Sequence, residues 1–447
     1  MNFKWRVLLA TLSFLVIATC GGKTSSADDW SGWMGDSRDG VYRESSVIDE
    51  IPDGGLSVKW RLPIAAGYAG PAVAGGKVFV FDYEKTSGAI VNDPGTRAEL
   101  QGSERLLVLD AASGEELWRH RYERPYKISY PSGPRCTPTV DGELVFILGA
   151  EGDFRCLRIA DGELIWKRQL VEDFGAEVPI WGFSAHPLVH GDLIYTMVGG
   201  EGQGIVAFDK LTGEVRWKAL DVNAGYCAPT LIKAGGVDQL IVFHPEGVEG
   251  LDPLSGKTYW DVPLKPSYEM SVAIPVIEGD RMFVSSIHTE AVMIQLSRDT
   301  PGAKELWRGE PKNAVHCSNA AAMFVDGIVY GTDCLQGSLI AVDGASGERL
   351  WETFDATKPD EKRFIRHGTA FITRLGDSNR FLLFSETGDL IAAELSEKGF
   401  VEHGRMHIVD PTNESFGRPV VWSHPAYAER TAFIRNDKEL VAVDLAK

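Results

Sequence analysis

The sequence has little of what marks a nucleic-acid-binding or membrane-spanning protein. It carries 45 Lys and Arg against 63 Asp and Glu, which gives a formal net charge of −18. No local cluster of basic residues offsets this balance, so the surface should repel nucleic acid and anionic lipid headgroups. Beyond the first 20 residues no apolar run is long enough to span a bilayer. Nucleic acid is therefore excluded as an expected partner.

Cysteine is also scarce. The chain has six cysteines in 447 residues, no two of them adjacent, and their spacing is not that of a small disulfide-stapled domain. Cys317 and Cys334 flank a predicted hairpin turn at Asp326 and Gly327. Two interpretations stay open for this pair, a disulfide or two buried free thiols.

The N-terminus has the pattern of an export signal. Lys4 and Arg6 precede a short apolar run over residues 7–18, which suits a secretory signal. One interpretation is a signal peptide over residues 1–27, cleaved after a stretch of small residues. The other is a lipobox that ends at residue 19, which would leave Cys20 lipidated. Both predict a protein of the periplasm or outer membrane, and in the second a lipid anchor is its contact with the membrane.

What the sequence has in quantity is a repeat. Each copy reads as an apolar strand, an Asp, a short turn with Gly, and then a Trp. The Asp side chain can accept hydrogen bonds from the turn amides, and Gly supplies the positive φ that a tight reversal needs. The Trp offers a flat apolar surface for packing between sheets. The residues of this structural repeat are Trp60, Asp110, Gly114, Trp118, Gly162, Trp166, Asp209, Gly213, Trp217, Asp252, Gly256, Trp260, Trp307, Asp343, Gly347, Trp351 and Asp444.

A second landmark returns at the same interval and marks the start of a short apolar strand. Successive repeat tryptophans lie 43 to 58 residues apart, which suits four short strands per unit. Proline lacks an amide donor and belongs at the first residue of a strand. The eight predicted strand starts are Pro71, Pro138, Pro187, Pro229, Pro275, Ala321, Ala370 and Pro419. The pattern predicts an all-β fold, an eight-bladed propeller with four-stranded antiparallel blades.

The two ends of the chain predict how the ring closes. Residues 440–444 form the first half of a repeat with no Trp after it, and residues 56–60 form a second half that ends in Trp60. If both halves share one sheet, no strand edge stays open between the first and last blades. The predicted organisation is therefore a leader over residues 28–55 and a propeller over residues 56–447.

The repeat is similar to the pyrroloquinoline-quinone (PQQ)-like repeat of the quinoprotein alcohol dehydrogenase-like superfamily and of the outer-membrane assembly factor BamB. The resemblance runs from about Trp60 to Lys447, and the segment from Trp30 to Gly40 resembles the Trp-rich leader of many such proteins. It implies an exported, monomeric scaffold without catalytic residues that binds protein or peptide partners, in the BamB-like version the outer-membrane β-barrel assembly machinery.

Two alternatives come with the resemblance. One is a PQQ-dependent dehydrogenase of alcohols or sugars, and the other is a propeller that binds carbohydrate or another small ligand. The quinone enzymes hold calcium through acidic and amide side chains and commonly carry a disulfide between adjacent cysteines. This chain has no Cys-Cys pair and is shorter than those enzymes. We therefore expect no cofactor and no metal site, with PQQ and calcium as the alternative.

Strand order places the candidate binding residues at one mouth of the central channel, the funnel mouth, where propellers commonly bind ligands. Each of these residues has a second interpretation, in which it only satisfies loop carbonyls or pairs with a nearby carboxylate. The candidates are Tyr68, Arg135, His186, Tyr226, His316, Asn319, Arg366, His367 and Arg418.

Overall fold

The computed structural model describes residues 29–359 and 364–447. The predicted signal peptide and Cys20 lie outside the described residues. No helix in the described part of the chain is long and apolar enough to cross a membrane.

The chain folds into eight four-stranded antiparallel sheets, so the predicted eight-bladed propeller is confirmed. Two strands precede the first blade, β1 (Val41–Tyr42) and β2 (Val58–Pro63). Blade 1 contains β3 (Ala72–Ala74), β4 (Lys77–Ser87), β5 (Ala98–Asp110) and β6 (Glu116–Glu123), and β7 (Tyr126–Ile128) pairs with β5. Blade 2 contains β8 (Thr139–Asp141), β9 (Leu144–Leu148), β10 (Asp153–Arg158) and β11 (Leu164–Gln169), followed by the helix α1 (Leu170–Phe174). Blade 3 contains β12 (Leu188–His190), β13 (Leu193–Met197), β14 (Ile205–Asp209) and β15 (Val215–Ala219).

The second half of the ring repeats this order from inner to outer strand. Blade 4 contains β16 (Thr230–Ala234), β17 (Val237–His244), β18 (Gly247–Leu251) and β19 (Thr258–Pro263), followed by a 3₁₀ turn (Ser267–Glu269). Blade 5 contains β20 (Val276–Glu278), β21 (Arg281–Ser285), β22 (Ala291–Leu296) and β23 (Ala303–Gly309). Blade 6 contains β24 (Met323–Val325), β25 (Ile328–Thr332), β26 (Leu339–Asp343) and β27 (Arg349–Thr353). Blade 7 contains β28 (Ala370–Leu375), β29 (Arg380–Ser385), β30 (Asp389–Ser396) and β31 (Gly399–His407). A separate hairpin follows, β32 (Asn413–Ser415) and β33 (Arg418–Val420), and blade 8 contains β34 (Ala426–Ala428), β35 (Thr431–Arg435) and β36 (Glu439–Asp444).

Blade 8 closes the ring with a strand from the other end of the chain. Strand β2 pairs antiparallel with β36, with Arg61 opposite Val441 and Leu62 opposite Leu440. The amide of Asp444 also donates to the carbonyl of Ser57 at 2.8 Å. The predicted closure between the two ends of the chain is therefore confirmed.

Most repeat tryptophans join their blade to the next one through a hydrogen bond from the indole and packing of the ring on a turn glycine, an interaction that we call the tryptophan lock. The indole Nε1 of Trp118 donates to the carbonyl of Ile159 in blade 2 at 2.8 Å, and a Cβ added to Gly162 would lie 2.7 Å from the Trp118 ring. Gly162 has a φ of 75°, so this position needs glycine both for its backbone and for the ring that covers it. The same indole-to-carbonyl bond to the next blade is made by Trp60, Trp118, Trp166, Trp217, Trp307 and Trp351.

Two copies of the repeat depart from this lock. Trp260 donates at 2.7 Å to the Oε1 of Gln239 in its own blade, and the following turn, at Pro301 and Gly302, does not keep the Asp and Gly spacing of the other copies. In blade 7, Arg405 lies opposite Ile391, the register position that Trp fills elsewhere. The degenerate copies of the sequence are thus the ones in which the packing differs.

The Trp260 bond gives a test of stability. The substitution Gln239→Leu should lower the free energy of unfolding by about 1–3 kcal/mol, because it removes the acceptor of a buried indole N–H. Gln239 has no exposed surface, and its Nε2 also donates to Ala234 at 2.8 Å. Urea titration checks this result, with Gln101→Leu at an exposed position of β5 as the matched control. Equal midpoints for both variants would show that the bond contributes nothing.

Two expectations about strand starts need correction. The inner strand of blade 8 begins after Pro425, not after Pro419, which lies within the separate β32–β33 hairpin. The inner strand of blade 6 begins at Met323, two residues beyond Ala321. Of the two interpretations of Cys317 and Cys334, the structure shows the second: both are buried free thiols, and both lie outside β24 and β25.

Candidate functional site: the funnel and its floor

The leader lies inside the central channel of the propeller. Trp30 exchanges two backbone hydrogen bonds with Val73 in blade 1, at 2.7 and 2.8 Å. The carbonyl of Ser31 accepts from Val140 in blade 2 at 2.7 Å. The guanidinium of Arg38 donates to the carbonyl of Pro187, just before blade 3, at 2.7 Å. One short segment therefore contacts three consecutive blades.

The same segment meets the other five blades. Met34, which is 2% exposed, belongs to the hydrophobic cluster that includes Cys227, Ile274 and Ala321, the residues before the inner strands of blades 4, 5 and 6. Strand β1 pairs parallel with β28 of blade 7, and the Trp30 ring meets Tyr427 of blade 8 edge-on at 5.5 Å. The leader, from Trp30 to Tyr42, thus contacts segments of all eight blades, and we call it the central plug.

The plug enters and leaves through the face opposite the funnel mouth. Asp29 accepts from the amide of Gly75 in the β3–β4 turn, and the carbonyl of Tyr42 accepts from Gly376 in the β28–β29 turn. Between these ends the segment reaches the level of His186, at the start of blade 3. The plug therefore forms the floor of the funnel.

His186 is fixed at this floor. Its Nδ1 accepts from the amide of Thr137 at 2.9 Å, and its ring stacks on Trp33 with centroids 4.6 Å apart. Burial, and then the nearby Arg38 and His424, hold the pKa of His186 well below its usual range. His424, which precedes Pro425 as His186 precedes Pro187, has its pKa lowered by burial to about 4. Both imidazoles are therefore neutral at ordinary pH.

The side chains of His316 and Asn319 form hydrogen bonds with the surrounding loops. The His316 ring has no exposed surface, and its two nitrogens lie 3.3 Å from the carbonyl of Ser286 and 3.0 Å from that of Glu310. Asn319 donates to the hydroxyl of Thr369 at 3.4 Å. Neither side chain points to a role beyond holding these segments.

Among the described residues, the His367 side chain makes no hydrogen bond of this kind to the loops. Its ring stacks on Phe416 with centroids 5.0 Å apart and lies 5.5 Å from the ring of His288. Burial, then His288, Arg366 and Arg418, lower the pKa of His367 to about 3. Both histidines have a left-handed backbone, with φ of 56° and 64°, which is uncommon outside glycine and often marks a functional segment.

Arg418 and Arg366 lie in the same region but have different partners. Arg418 makes a bidentate pair with Glu386 at 2.8 and 3.1 Å, and the indole of Trp422 donates to the same carboxylate at 3.0 Å. Arg366 is exposed and lies over the Phe416 ring at 5.7 Å. Arg418 belongs to the β32–β33 hairpin and not to an inner strand of a blade, contrary to the expectation.

Tyr68, Arg135 and Tyr226 lie in the segments that precede the inner strands of blades 1, 2 and 4. Arg135 packs over the Tyr68 ring at 5.1 Å and donates to the carbonyls of Ser129 and Tyr130. Burial raises the pKa of Tyr68 to about 12. Tyr226 is buried and its ring lies 5.3 Å from that of Trp181.

A long ribbon partly roofs the funnel mouth. Strands β4 and β5 extend beyond blade 1, and Asn92 between them donates to Asn413 of β32 at 2.7 Å. On the same connection Arg97 donates to the carbonyl of Val178 at 2.8 Å. Ile90 and Val91 of the ribbon are 45% and 41% exposed, and Phe416, in the β32–β33 hairpin that the ribbon contacts, is 36% exposed. We call Ile90, Val91 and Phe416 the apolar rim.

An acidic cavity lies away from this rim, at the mouth side of blades 3 and 4. It has a volume of about 270 Å³, and its lining includes Glu201, Asp221, Glu246 and Glu269. Lys265 neutralises Glu246 at 2.9 Å, and Asp221 accepts from the amide of Gly202. The carboxylates here are solvated and partly paired.

The funnel residues do not fit the calcium and quinone of the quinone enzymes. Glu386 is engaged by Arg418 and Trp422, and Asp333 accepts from the amide of His316 and pairs with Arg349 at 3.1 Å. No set of three or more His, Cys, Asp or Glu side chains among residues 29–359 and 364–447 is arranged to bind a metal ion. The plug also takes up the space on the axis.

Sequence reasoning missed the most informative residues of this site. The sequence places Trp33 and Arg38 in a separate leader, and its proline pattern marks Pro419 as the eighth strand start, so His424 does not stand out. The dipeptide His424-Pro425 repeats His186-Pro187, and this signal could have found it.

Comparison with known proteins gives a family and a fold. The sequence profile of a family described as outer membrane protein assembly factor BamB matches residues 102–245 and 244–447. A quinohemoprotein alcohol dehydrogenase from Comamonas testosteroni is 11% identical with a TM-score of 0.61, over 94% of this chain and 81% of that one. A europium-containing methanol dehydrogenase is 12% identical with a TM-score of 0.60, over 93% and 89%. BamB from Moraxella catarrhalis is 14% identical with a TM-score of 0.42, over 87% and 99%. No curated protein sequence matches the chain.

Proposed function

We propose, on the premise that this chain belongs to the family of the outer membrane protein assembly factor BamB, that it is a protein-binding scaffold without catalytic residues. The observation that carries the proposal is the plug. The leader fills the axis and meets the inner segments of all eight blades, so a ligand has access to the funnel above it and to the rim.

The rim supports a polypeptide as the partner. Ile90, Val91 and Phe416 are large exposed apolar side chains on two segments that contact each other at the mouth, and exposed apolar side chains of this kind mark interaction sites. The rigid blades position these loops, as in other scaffolds whose binding residues lie on loops.

In its specific form the proposal is that the protein is exported, faces the periplasm, and assists the assembly of β-barrel proteins in the outer membrane. The family description supports this form. The engaged carboxylates of the funnel, Glu386 and Asp333, favour it over a quinone-dependent dehydrogenase.

Co-purification with a solubilised β-barrel assembly complex tests the proposal. The full-length protein should retain the complex, and the double substitution Val91→Ser and Phe416→Ser should lower retention about tenfold or more, because apolar anchors dominate such interfaces. The matched control is Leu211→Ser with Leu254→Ser, which are 57% and 73% exposed on the repeat turns. Failure of the wild-type protein to retain the complex would contradict the assembly role. Equal loss in the control would contradict the rim as the binding surface.

A further inference from the structure

The ribbon over the funnel mouth has a small hydrophobic core of its own. At its base lies a cluster of five buried residues that is separate from the other hydrophobic clusters of the described chain. The five are Tyr83, Leu100, Tyr126, Ile128 and Ala150. Strand β7 closes this base by pairing antiparallel with residues 98–100 of β5. Segments that share few contacts with the main core open locally before the whole chain unfolds, so the ribbon is packed as a unit that can open by itself.

One buried carboxyl group joins the ribbon base to blade 2. Glu104 has no exposed surface. Its Oε1 accepts from the hydroxyl of Tyr126 in β7 at 2.5 Å and from the amide of Ala150, between β9 and β10, at 2.8 Å. Its Oε2 accepts from the hydroxyl of Tyr122 in β6, and the Tyr126 ring stacks on Tyr83 with centroids 4.0 Å apart. The carboxyl group therefore connects β6, β7 and a turn of blade 2 at one point.

The same carboxyl group lies directly against the backbone of blade 2. A Cβ added to Gly149 would lie 2.0 Å from the Oε2 of Glu104. Blade 2 also contributes a carboxylate, because Glu151 accepts from the amide of Lys127 in β7 at 2.5 Å. Two acidic side chains therefore hold the base to blade 2, and Glu104 is the fully buried one.

The surroundings of Glu104 favour its protonated form. Burial, and then the charge of Asp153, raise the pKa of Glu104 to about 7 against an ordinary value of 4.5. The cations nearby are engaged elsewhere, because Arg124 and Arg155 pair with Asp153 at 2.6 and 3.1 Å and Arg135 donates to backbone carbonyls. The other titratable groups that face Glu104 are Tyr83, Tyr122, Tyr126 and Cys136. Below about pH 7 the closed base therefore holds a proton.

We propose that the ribbon opens at its base as a unit and that protonation of Glu104 keeps it closed. With the proton bound, the carboxyl group is neutral, and its contacts with β7 and blade 2 need no water. Without the proton, a charge remains in a site that excludes water, which is costly, and opening of the base brings that charge to solvent. The proton stabilises the closed base fully below about pH 4.5, and this stabilisation is lost as the pH rises through about 7. The open ribbon is therefore more populated at higher pH.

Opening would change the apolar rim at the funnel mouth. The ribbon tip contacts the β32–β33 hairpin through Asn92, whose side-chain amide donates to Asn413 at 2.7 Å. An open ribbon would carry Ile90 and Val91 away from Phe416. Control of partner binding by this movement rests on the proposed function, whereas the opening itself does not. Failure to retain the assembly complex would contradict the proposed function and leave the opening of the ribbon untouched.

Hydrogen exchange of the full-length protein tests the control by Glu104. The reporters are the amides of residues 98–100 and 126–128, which the pairing of β5 with β7 protects. At pH 5, 6, 7 and 8 the exchange rate of the wild type is divided by that of Glu104→Gln, so that the chemical effect of pH on exchange cancels. The ratio should rise roughly fiftyfold from pH 5 to pH 8, because only the wild type has the titrating group. A constant ratio would overturn the control by Glu104.

The matched control is Glu99→Gln. Glu99 lies on the same strand and pairs with Lys127 of β7 at 2.9 Å, but both side chains are exposed, and pairs of this kind contribute little. The ratio of wild type to Glu99→Gln should be the same at every pH. If it rose as steeply as the ratio for Glu104→Gln, exchange would report the overall charge of the ribbon, and the assignment to Glu104 would be wrong.

A comparison within the wild type separates ribbon opening from unfolding of the whole chain. Val80 and Leu107 lie opposite each other in the part of β4 and β5 that belongs to blade 1. After correction for intrinsic rates, the ribbon amides should exchange at least about tenfold faster than those of Val80 and Leu107. Equal protection would overturn the independent opening, because the base would then open only when the chain unfolds.

Tyr126→Phe is a second variant that keeps the test decisive if Glu104→Gln does not fold. It removes one donor to the carboxyl group and keeps the ring that stacks on Tyr83. The ribbon amides of this variant should exchange several-fold faster than those of the wild type at pH 5. Unchanged exchange would contradict the role of the Glu104 carboxyl group in closing the base.

Discussion

Removal of residues 440–447 should abolish the folded monomer. Strand β36 is the link between the two ends of the chain, because it pairs with β2 on one side and with β35 on the other. Leu440, Val441, Ala442 and Val443 have no exposed surface. Their loss would open the ring, expose two strand edges and empty part of the core, and open edges of this kind pair with other chains.

The expected result is a chain that is unfolded or polymeric by size-exclusion chromatography, with no cooperative thermal transition at the wild-type position. The matched control removes only residues 446–447, which contribute the isolated bridge from Ala446 to Val47 and an exposed ion pair from Lys447 to Asp49. This control should remain monomeric and melt close to the wild-type temperature. A monomeric longer truncation with unchanged melting would contradict ring closure through β36.

The repeat made the ring predictable because its signals are local. Asp, Gly and Trp occur at a fixed spacing, and each acts within one turn or against the next turn, as Trp118 does on Gly162. Counting these units gives seven copies and two half-units, which must pair to make the eighth blade.

The site was less predictable because it is built from segments that do not repeat. No periodicity indicates where the leader packs, and the hairpin between blades 7 and 8 carries a proline that imitates a strand start at Pro419. Which arginine meets a carboxylate also depends on loops from distant blades. Arg418 and Arg135 look alike in sequence, yet one pairs with Glu386 and the other with carbonyls.

Glu104 should make the protein less stable as the pH rises from about 5 to 7. Its carboxyl group has no exposed surface and accepts from the hydroxyls of Tyr122 and Tyr126 at 2.5 Å each, and from the amide of Ala150 at 2.8 Å. Burial, and then the charge of Asp153, raise the pKa of Glu104 to about 7 against an ordinary value of 4.5, although these three hydrogen bonds oppose the rise.

The direction of the pH effect follows from which state holds the proton. Between the unfolded and folded pKa values the native protein keeps a proton that the unfolded chain has released. Stability that is fully present below about pH 4.5 is therefore lost as the pH rises through 7. The difference between the two pKa values corresponds to about 3 kcal/mol at most. Glu104→Gln keeps an acceptor oxygen and removes the titration. The free energy of unfolding of the variant should therefore rise relative to that of the wild type as the pH increases across this range.

Urea unfolding at pH 5, 6, 7 and 8 measures this effect. The difference in free energy of unfolding between Glu104→Gln and wild type should grow in favour of the variant by about 3 kcal/mol over the series. Glu123→Gln, at an exposed position of β6 in the same blade, is the matched control, and its curve should follow the wild type. If Glu104→Gln also followed the wild type at every pH, Glu104 would titrate as an ordinary surface carboxyl. The joint between blades 1 and 2 would then have to be open to water at this residue, against the burial of its neighbours Tyr126 and Ala150.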